Sequence, residues 1–399
     1  MSTDPKGDPR PFVASVVAAQ VLVQIGAFAL PALLPGYIDR WHLTKTEAGW
    51  LIGIFFAAYV VAVPVLVALT DRIPARRVYA TGAALTALSH LGFALIAEGF
   101  WSGLLLRAVA GVGWAGAYMP GLKVIADRLE GTTQSRAVSW HAAGVGIAGA
   151  SSFVVAGLLE AVSGPRAAFL FGGIAALAAL AIAWVAMPAT SPPRKDTHAL
   201  LDFRPVFRNR AAMAWIAGYT VHTWELAALR AWGVTFLTAT AARLGAPAWM
   251  PGATVLFTAA GFVGIVVSVT GNETAQKHGR ARVVLWAMTA AAGFSVVAGW
   301  TTSISLPLAT ALVLLWNAAI YLDSSALTAG TVQAAEPGLR GATMGLHSMA
   351  GYTGGFLGPL GVGLMLDLAG DNALGWGLGF GHLAVVTLTG LVILRRLAR

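Results

Sequence analysis

Long, nearly uncharged apolar runs recur along the whole chain, and they limit its fold more than any other feature. Each run has about 20 residues, the length of an α-helix that crosses a ~30 Å hydrocarbon core. Only 11% of the 399 residues are charged and 57% are hydrophobic, so a soluble protein of this size would lack polar surface. Backbone groups in lipid must be paired within the chain. Because the runs do not alternate, they predict an all-α integral membrane protein and exclude a β-barrel.

The runs fall into two groups of six on either side of a polar stretch. This pattern predicts twelve transmembrane helices, arranged as an N-terminal six-helix bundle (1–190), a cytoplasmic linker (191–210) and a C-terminal six-helix bundle (211–399). The first run is too long for a signal-peptide core, so we expect it to remain as the first helix. The predicted spans are 11–34, 47–69, 78–98, 101–125, 138–161, 165–187, 211–238, 248–270, 282–302, 306–332, 342–368 and 374–394.

The distribution of basic residues predicts the orientation of these helices. The chain has 26 Lys plus Arg against 17 Asp plus Glu, an excess that in a soluble protein would suggest nucleic acid as a partner. If the N-terminus is cytoplasmic, the loops on the outer side contain only four basic residues, Arg40, Lys45, Arg166 and Arg243. This positive-inside bias predicts cytoplasmic termini in a bacterial inner membrane, with the lipid bilayer rather than nucleic acid as the partner. The chain has no Cys, and we expect no metal and no cofactor.

The two groups of runs echo each other at an offset of about 200 residues. "EAGWLIG" precedes helix 2 and "APAWMPG" precedes helix 8, while "DRIPARR" and "QKHGRAR" follow the same two helices. After helices 4 and 10 come "ADRLEGTTQSRAV" and "AAEPGLRGAT". Three echoes in the same order predict a duplicated six-helix unit and two pseudo-symmetric bundles, related by an axis along the membrane normal.

Three short motifs make the chain resemble the major facilitator superfamily over nearly its whole length. The loop after helix 2 matches the family motif at Asp71, Arg72, Arg76 and Arg77, but Val67 and Ala75 occupy the two glycine positions. The other two matches are Arg107, Gly111 and Gly113 on helix 4, and Asp127, Arg128 and Arg136 after it.

The resemblance implies a charged inner latch that joins the two halves when the transporter is open outward. Asp71 would lie near the N-terminus of helix 11, around Gly341, where the helix dipole favours negative charge. Arg72 or Arg77 would pair with Asp127. In the second half Gln276 replaces the acid, so that latch would be weaker. The predicted inner latch contains Asp71, Arg72, Arg76, Arg77, Asp127 and Arg136.

In this family, helices 1, 4, 7 and 10 line a central cavity, and here each carries polar residues at mid-membrane. An uncompensated charge at that depth costs at least about 2.5–3.5 kcal/mol, so it is expected to face water or a partner and to have a function. An uncharged polar residue can instead link neighbouring helices. The candidate substrate and proton-binding residues are Gln20, Gln24, Arg107, Trp114, Tyr118, His222, Glu225, Arg230, Asn317, Tyr321 and Asp323.

These features predict a monomeric secondary transporter that moves a small organic solute by alternating access. No glycine loop for ATP is present, so we expect a gradient to drive transport, with the proton carried by Glu225, Asp323 or His222. Arg107 and Arg230 favour an anionic solute, and the aromatic residues favour an amphipathic one. The alternatives are proton-driven efflux of drugs or metabolites and, in another class, a membrane-embedded sensor or enzyme. We find no HExxH or GxSxG motif, so an enzyme is not expected.

Overall fold

The computed structural model describes residues 8–189 and 202–397, which fold almost entirely into helices. Residues 1–7, 190–201 and 398–399 lie outside the described part, and with them most of the predicted linker. The described residues form fourteen α-helices: α1 (Arg10–Gln24), α2 (Ala29–Trp41), α3 (Lys45–Leu69), α4 (Ala75–Ile96), α5 (Phe100–Arg128), α6 (Gly131–Ser163), α7 (Pro165–Ala186), α8 (Arg204–Arg208), α9 (Arg210–Leu244), α10 (Ala253–His278), α11 (Arg280–Gly299), α12 (Leu306–Ala334), α13 (Arg340–Ala369) and α14 (Ala373–Leu397).

Ten helical segments in the described residues are long and apolar enough to cross a membrane, when α1 and α2 are counted as one segment. The expectation of an all-α membrane protein is therefore confirmed. The long helices outside this set are α5, with 29 residues, and α9, with 35 residues. These two helices contain Arg107, His222, Glu225 and Arg230, so the most polar long helices are those that carry most of the predicted site.

The first predicted span, 11–34, is not one continuous helix. The chain makes a turn at residues 25–28 between α1 and α2, and α2 then continues to Trp41. The hydroxyl of Ser152 accepts a hydrogen bond from the Phe28 backbone N–H at 3.0 Å, and Nε2 of His90 lies 3.1 Å from the Gly26 carbonyl oxygen. The Ser152 hydroxyl of α6 therefore pairs a backbone N–H that the broken helix leaves free, while His90 of α4 adds a second contact to the Gly26 carbonyl, which also accepts from the Ala29 N–H. The apolar run is uniform across the break, so its composition could not reveal it.

Helices α1–α7 form the first half of the molecule and α9–α14 the second. The halves meet where α3 packs on α13, α6 on α10 and α2 on α9. Glycines of α13 allow the closest approaches: a Cβ on Gly363 would collide with the Lys45 carbonyl of α3, and one on Gly354 with the Thr220 carbonyl of α9. The small residues of α13 thus bring three helices together at backbone distance.

The two ends of the helices are named here by the charge pattern. The side that carries Arg10, Asp71 and Arg128 is called the inner side, and the side that carries Lys45 and Asp371 is called the outer side. Helix α9 starts at Arg210 on the inner side and reaches Leu244 on the outer side, six residues beyond the predicted end of its span.

Candidate functional site

The second half contains a buried acid–imidazole pair in its interior. Nδ1 of His222 on α9 lies 2.7 Å from Oδ1 of Asp323 on α12, and both side chains are almost completely buried. Tyr219 stacks on the His222 ring at 5.6 Å and on the His347 ring at 3.8 Å. Asp323 is one of the candidate proton-binding residues named from the sequence. The structure shows that it turns toward α9, where it meets an imidazole.

Glu225 lies within the second half, and its carboxylate is bonded there. Its two carboxylate oxygens accept hydrogen bonds from Nε1 of Trp316 at 2.6 Å and from the Thr387 hydroxyl at 2.9 Å. These partners belong to α12 and α14, and Glu225 is only 3% exposed. Neutral donors therefore occupy both of its oxygens, and among the described residues no arginine forms a salt bridge with it.

Arg230 is the cation that lies between the two halves. Its Nη2 donates a hydrogen bond to the Tyr321 hydroxyl, and its guanidinium lies 5.0 Å from the ring of Phe28 in the first half. Among the described residues, no carboxylate lies within salt-bridge distance of Arg230. The side chain is partly exposed. Arg230 is therefore an unpaired charge that aromatic rings hold in place and that a ligand can reach.

Tyrosines from both halves surround Arg230. Seven tyrosines occur in the whole chain, and most of them gather here, which gives the site aromatic walls with polar hydroxyls. The rings of Tyr59 and Tyr352 are 4.3 Å apart across the contact between α3 and α13. Tyr118 and Arg230 both lie near Tyr219 and Tyr352. The central tyrosine cluster consists of Tyr59, Tyr118, Tyr219, Tyr321 and Tyr352.

Sequence reasoning missed Phe28, Tyr59, Tyr219 and Tyr352. A weak signal existed for Tyr219, which lies three residues before His222 and so shares its side of α9. The other three residues lie at a helix break or on helices that were not expected to line the cavity. Only the packing of the two halves brings them to Arg230.

Arg107 and Trp114 turn away from the space between the halves, contrary to expectation. Nε of Arg107 donates to the Leu51 carbonyl at 3.3 Å, and its guanidinium lies 4.8 Å from the Phe55 ring. Trp114 meets the same phenylalanine edge-on at 4.9 Å. Both side chains therefore pack against α3 inside the first half. Of the three candidate residues on this helix, Arg107, Trp114 and Tyr118, only Tyr118 is partly exposed.

The remaining predicted residues have two different environments. Asn317 donates its amide to the Ala260 carbonyl at 2.8 Å, so it links α12 to α10 and does not line a cavity as expected. Gln20 and Gln24 are buried, and their amide atoms have no hydrogen-bond partner in the described part of the chain. Oε1 of Gln20 and Nε2 of His141 both come close to Gly121, where the missing Cβ leaves room for them.

The outer ends of the halves are held together by an outer clasp that the sequence did not reveal. The carboxylate of Asp367 accepts hydrogen bonds from the backbone N–H groups of Lys45 at 2.8 Å and Thr46 at 2.7 Å, at the N-terminus of α3. Nζ of Lys45 lies 3.0 Å from Asp371, and Nη2 of Arg243 lies 2.8 Å from the same carboxylate. The outer clasp is the set Lys45, Arg243, Asp367 and Asp371.

The environment of Asp371 explains how the outer clasp stays charged. Burial by itself would raise the pKa of Asp371. The hydrogen bond and charge of Lys45, with hydrogen bonds from Trp376 and Arg243, hold the pKa of that carboxyl below its ordinary value instead. Its negative charge is therefore maintained at neutral pH, and the ion pairs between the halves persist.

The predicted inner latch is not formed in this conformation. Asp71 lies 3.7 Å from Nζ of Lys123, and Asp127 lies 3.1 Å from the same nitrogen. Lys123 therefore binds both acids within the first half, and the pairing of Asp127 with Arg72 or Arg77, which was expected for the outward-open state, stays a prediction. Arg136 lines a groove of about 1060 Å³ between the inner ends of α1 and α6 and forms no ion pair in the described structure.

Comparison with known proteins decides the family. The sequence matches the family model described as Major Facilitator Superfamily over residues 16–359. The chain belongs to this superfamily. The resemblance inferred from the motifs is confirmed.

The relatives and structural neighbours are other members of the superfamily. "Protein spinster homolog 1" of Bos taurus is 24% identical over 272 residues, which cover 65% of this chain and 52% of that protein. The chain thus spans about half the length of the curated relatives it matches. A bacterial homolog of the human lysosomal transporter Spinster, crystallised inward-facing and unoccupied, has a TM-score of 0.78 at 16% identity, covering 99% of this chain and 96% of that one. The human organic anion transporter MFSD10 (TETRAN) has a TM-score of 0.69 at 18% identity, with 98% and 100% covered. At these identities the likeness of the solved structures concerns the fold.

Proposed function

We propose that this protein is a proton-coupled secondary transporter that moves a small amphipathic organic anion across the membrane by alternating access. The observation that carries the proposal is Arg230, an unpaired cation between the two halves that the central tyrosine cluster surrounds. A guanidinium held by rings binds a carboxylate, sulfonate or phosphate with paired N–H donors. The tyrosine rings offer apolar faces to the remainder of such a solute.

The same proposal includes twelve membrane spans in two six-helix bundles. Ten segments are long and apolar enough by themselves, and α5 and α9 are long helices packed among them. Their lower apolarity fits helices that carry functional polar groups, which membrane proteins tolerate when these groups face partners inside the protein.

The proposed protein is a monomer of the bacterial inner membrane with both termini in the cytoplasm. A reporter that is active only in the periplasm, fused after Arg399, is expected to be silent, and activity there would contradict this topology.

The proton is proposed to bind in the second half. The pair of His222 and Asp323 can hold or release a proton, because an imidazole 2.7 Å from a carboxylate exchanges charge with it over a small rearrangement. Glu225 is the second buried carboxyl group, and Trp316 and Thr387 hold it in place. Since Tyr219 stacks on His222 and also lies near Arg230, a change of charge at the pair has a direct route to the proposed solute site.

The arrangement of the two ends supports alternating access. The outer clasp is closed, and α3 packs on α13 from Gly363 at its outer end to the pair of Tyr59 and Ser348, whose hydroxyl oxygens are 3.4 Å apart. Toward the inner side, Asp71 binds Lys123 of its own half. We propose that the outer clasp opens and the inner latch forms when the protein opens toward the outer side. The outer clasp is then formed only in the outward-closed state, and the inner latch only in the outward-open state.

The deciding experiment is a thermal-shift screen of purified protein against carboxylates, sulfonates and organic phosphates of graded apolar size. A ligand present at about 100 times its Kd stabilises the folded state by about 2.7 kcal/mol. We expect an amphipathic anion to raise the Tm of the wild type and of the control Arg282→Gln, which removes an exposed charge on α11, but not that of Arg230→Gln. An equal shift in Arg230→Gln would contradict the proposed site.

A further inference from the structure

The inner end of the first half has a basic surface whose arginines form no ion pair within the described residues. Four arginines lie there, at the α3–α4 turn, the start of α4 and the end of α5: Arg72, Arg76, Arg77 and Arg128. Two of the nearby acids, Asp71 and Asp127, bind Lys123, and Glu130 forms no ion pair in the described structure. The positive charge of this surface is thus left for another partner.

Aromatic rings orient two of these arginines. The guanidinium of Arg76 lies 4.7 Å from the Trp184 ring, and its Nη1 donates to the Trp184 carbonyl oxygen at 3.2 Å. Nε of Arg76 is buried and has no hydrogen-bond partner in the described residues. The guanidinium of Arg128 lies 4.4 Å from the ring of Phe12. Stacking of this kind fixes the plane of the guanidinium and leaves the remaining N–H donors at its edge for an anion.

A cavity of about 420 Å³ opens between the ends of α4, α5 and α7, and its lining includes Arg128 and Ala75, the residue before Arg76. Its lining combines charged and apolar side chains. Val185, which lines the cavity, is 87% exposed, and the preceding Trp184 is 55% exposed, so an exposed apolar surface adjoins the arginines. In a membrane protein such a surface contacts acyl chains, and a basic pocket at the inner ends of helices is suited to a lipid headgroup. The lining residues are Ala75, Val124, Asp127, Arg128, Val185, Ala186, Met187 and Pro188.

We propose that this cavity binds the headgroup of an anionic phospholipid of the inner leaflet, with its phosphate on Arg76 and Arg128 and its acyl chains along Trp184 and Val185. Charge complementarity supports an anion, since the acids at the surface are engaged or form no ion pair with the arginines. The exposed indole and valine support a lipid, because a free anion would gain nothing from them. The site lies outside the proposed solute site, so the inference stands whether or not the transport proposal does.

The test measures lipid binding to the purified, delipidated full chain by native mass spectrometry. The probes are dioleoylphosphatidylglycerol and, as the neutral comparison, dioleoylphosphatidylcholine. We expect one tightly retained phosphatidylglycerol on the wild type. The double variant Arg76→Gln with Arg128→Gln is expected to bind it about tenfold more weakly or worse, because it loses two basic residues near the membrane surface that attract the anionic headgroup. The control with the same loss of charge is Arg282→Gln with Arg396→Gln, two exposed arginines of the second half.

Two results would overturn the proposal. An equal loss of phosphatidylglycerol in the control double variant would mean general attraction to a basic surface rather than a site. Binding of glycerol 3-phosphate as tight as that of the lipid would mean a site for free anions. If the glutamine pair does not fold, Arg76→Lys with Arg128→Lys keeps the charge but removes the paired donors. That variant is expected to lose part of its preference for phosphatidylglycerol, and an unchanged preference would contradict the assigned contacts.

Discussion

The two halves differ in how their larger buried polar side chains are bonded, although both contain buried atoms without a partner, which in the described second half are Thr235 Oγ1, Asn272 Oδ1, Arg280 Nε, Thr302 Oγ1 and Thr310 Oγ1. In the second half His222 meets Asp323, Glu225 has a donor on each oxygen, and Asn317 donates to the Ala260 carbonyl. In the described first half several buried polar groups have no partner, and these are the side chains of Gln20, Gln24, Tyr79, Trp114 and His141.

The two halves also differ in buried charge. The buried ionised or ionisable carboxyl groups in the described residues, Glu225 and Asp323, both belong to the second half, while the first half buries the cation Arg107. A buried carboxyl group with fixed partners can store a proton, whereas an amide cannot. The difference supports a division in which the second half carries the proton and the first half supplies polar surface that is not committed to internal bonds.

The largest expected effect comes from breaking the acid–imidazole pair. His222→Phe keeps a ring of similar size but leaves Asp323 buried without its partner, and breaking a buried pair in this way costs about 3–5 kcal/mol. His141→Phe is the matched change in the first half and removes a histidine whose nitrogens have no partner, so its effect should be small. Thermal unfolding of both purified variants measures the difference. Equal losses would contradict the contrast between the halves.

The next effect concerns transport rather than stability. Glu225→Gln should abolish uphill, gradient-driven accumulation and leave exchange across equilibrated membranes intact, because the neutral amide resembles the protonated acid and the Trp316 indole can still donate to it. Both modes are measured on the same reconstituted variant with an anion found in the screen. Glu160→Gln changes an acid on α6 of the first half and should leave both modes intact. Normal uphill transport by Glu225→Gln would remove this residue from the mechanism.

A smaller effect is expected from Asp71→Asn in the predicted inner latch. Among the described residues, Lys123 is the charged group within salt-bridge distance of Asp71, at 3.7 Å, and a surface pair contributes about 0–1 kcal/mol. Stability and insertion should therefore be nearly unchanged, while transport should slow because a contact special to the other state is lost. Gln276→Asn is the corresponding change in the second half and should have little effect. Transport at the normal rate in Asp71→Asn would leave these charges a purely topological role.

The smallest effect is expected where a polar atom already has no partner. Gln24→Leu removes an amide that makes no hydrogen bond in the described structure and fills similar space, so stability should stay within about 1 kcal/mol of the wild type or rise. Asn317→Leu is the contrasting change in the second half and should cost more, since it removes the hydrogen bond to the Ala260 carbonyl that links α12 to α10. Thermal unfolding compares them, and a larger loss for Gln24→Leu would show that the first half depends on this amide after all.

The sequence predicted the family and most helices because these depend on local or linear features. Apolar length predicts a membrane helix wherever it occurs, and the motifs around Asp71 and Arg107 are short and contiguous. The break at residues 25–28 escaped prediction because its stabilising groups, Ser152 and His90, come from distant helices. The two long helices outside the apolar set, α5 and α9, fall below a simple hydropathy test because polar and charged residues such as Arg107, Glu225 and Arg230 lower their apolarity.

The candidate site was predicted as a set of residues but not as an arrangement. Helical spacing shows which side chains share a face, such as His222 and Glu225 one turn apart. It does not show which helix that face meets. Glu225 therefore turned out to face α12 and α14, and Arg107 to face α3, while Arg230 alone among the predicted charges lies between the halves.

By itself the sequence determined that this chain is helical, lies in the membrane and belongs to the major facilitator superfamily, because lipid leaves an apolar run few alternatives to a helix. Only the tertiary structure decided which polar groups are partnered, which charge stays free at Arg230, and which end of the molecule is closed by Lys45 and Asp371. Those outcomes depend on contacts between helices far apart in the chain. The apolar pattern constrains such contacts weakly, since in a membrane a helix face that meets lipid and one that meets another helix have almost the same composition.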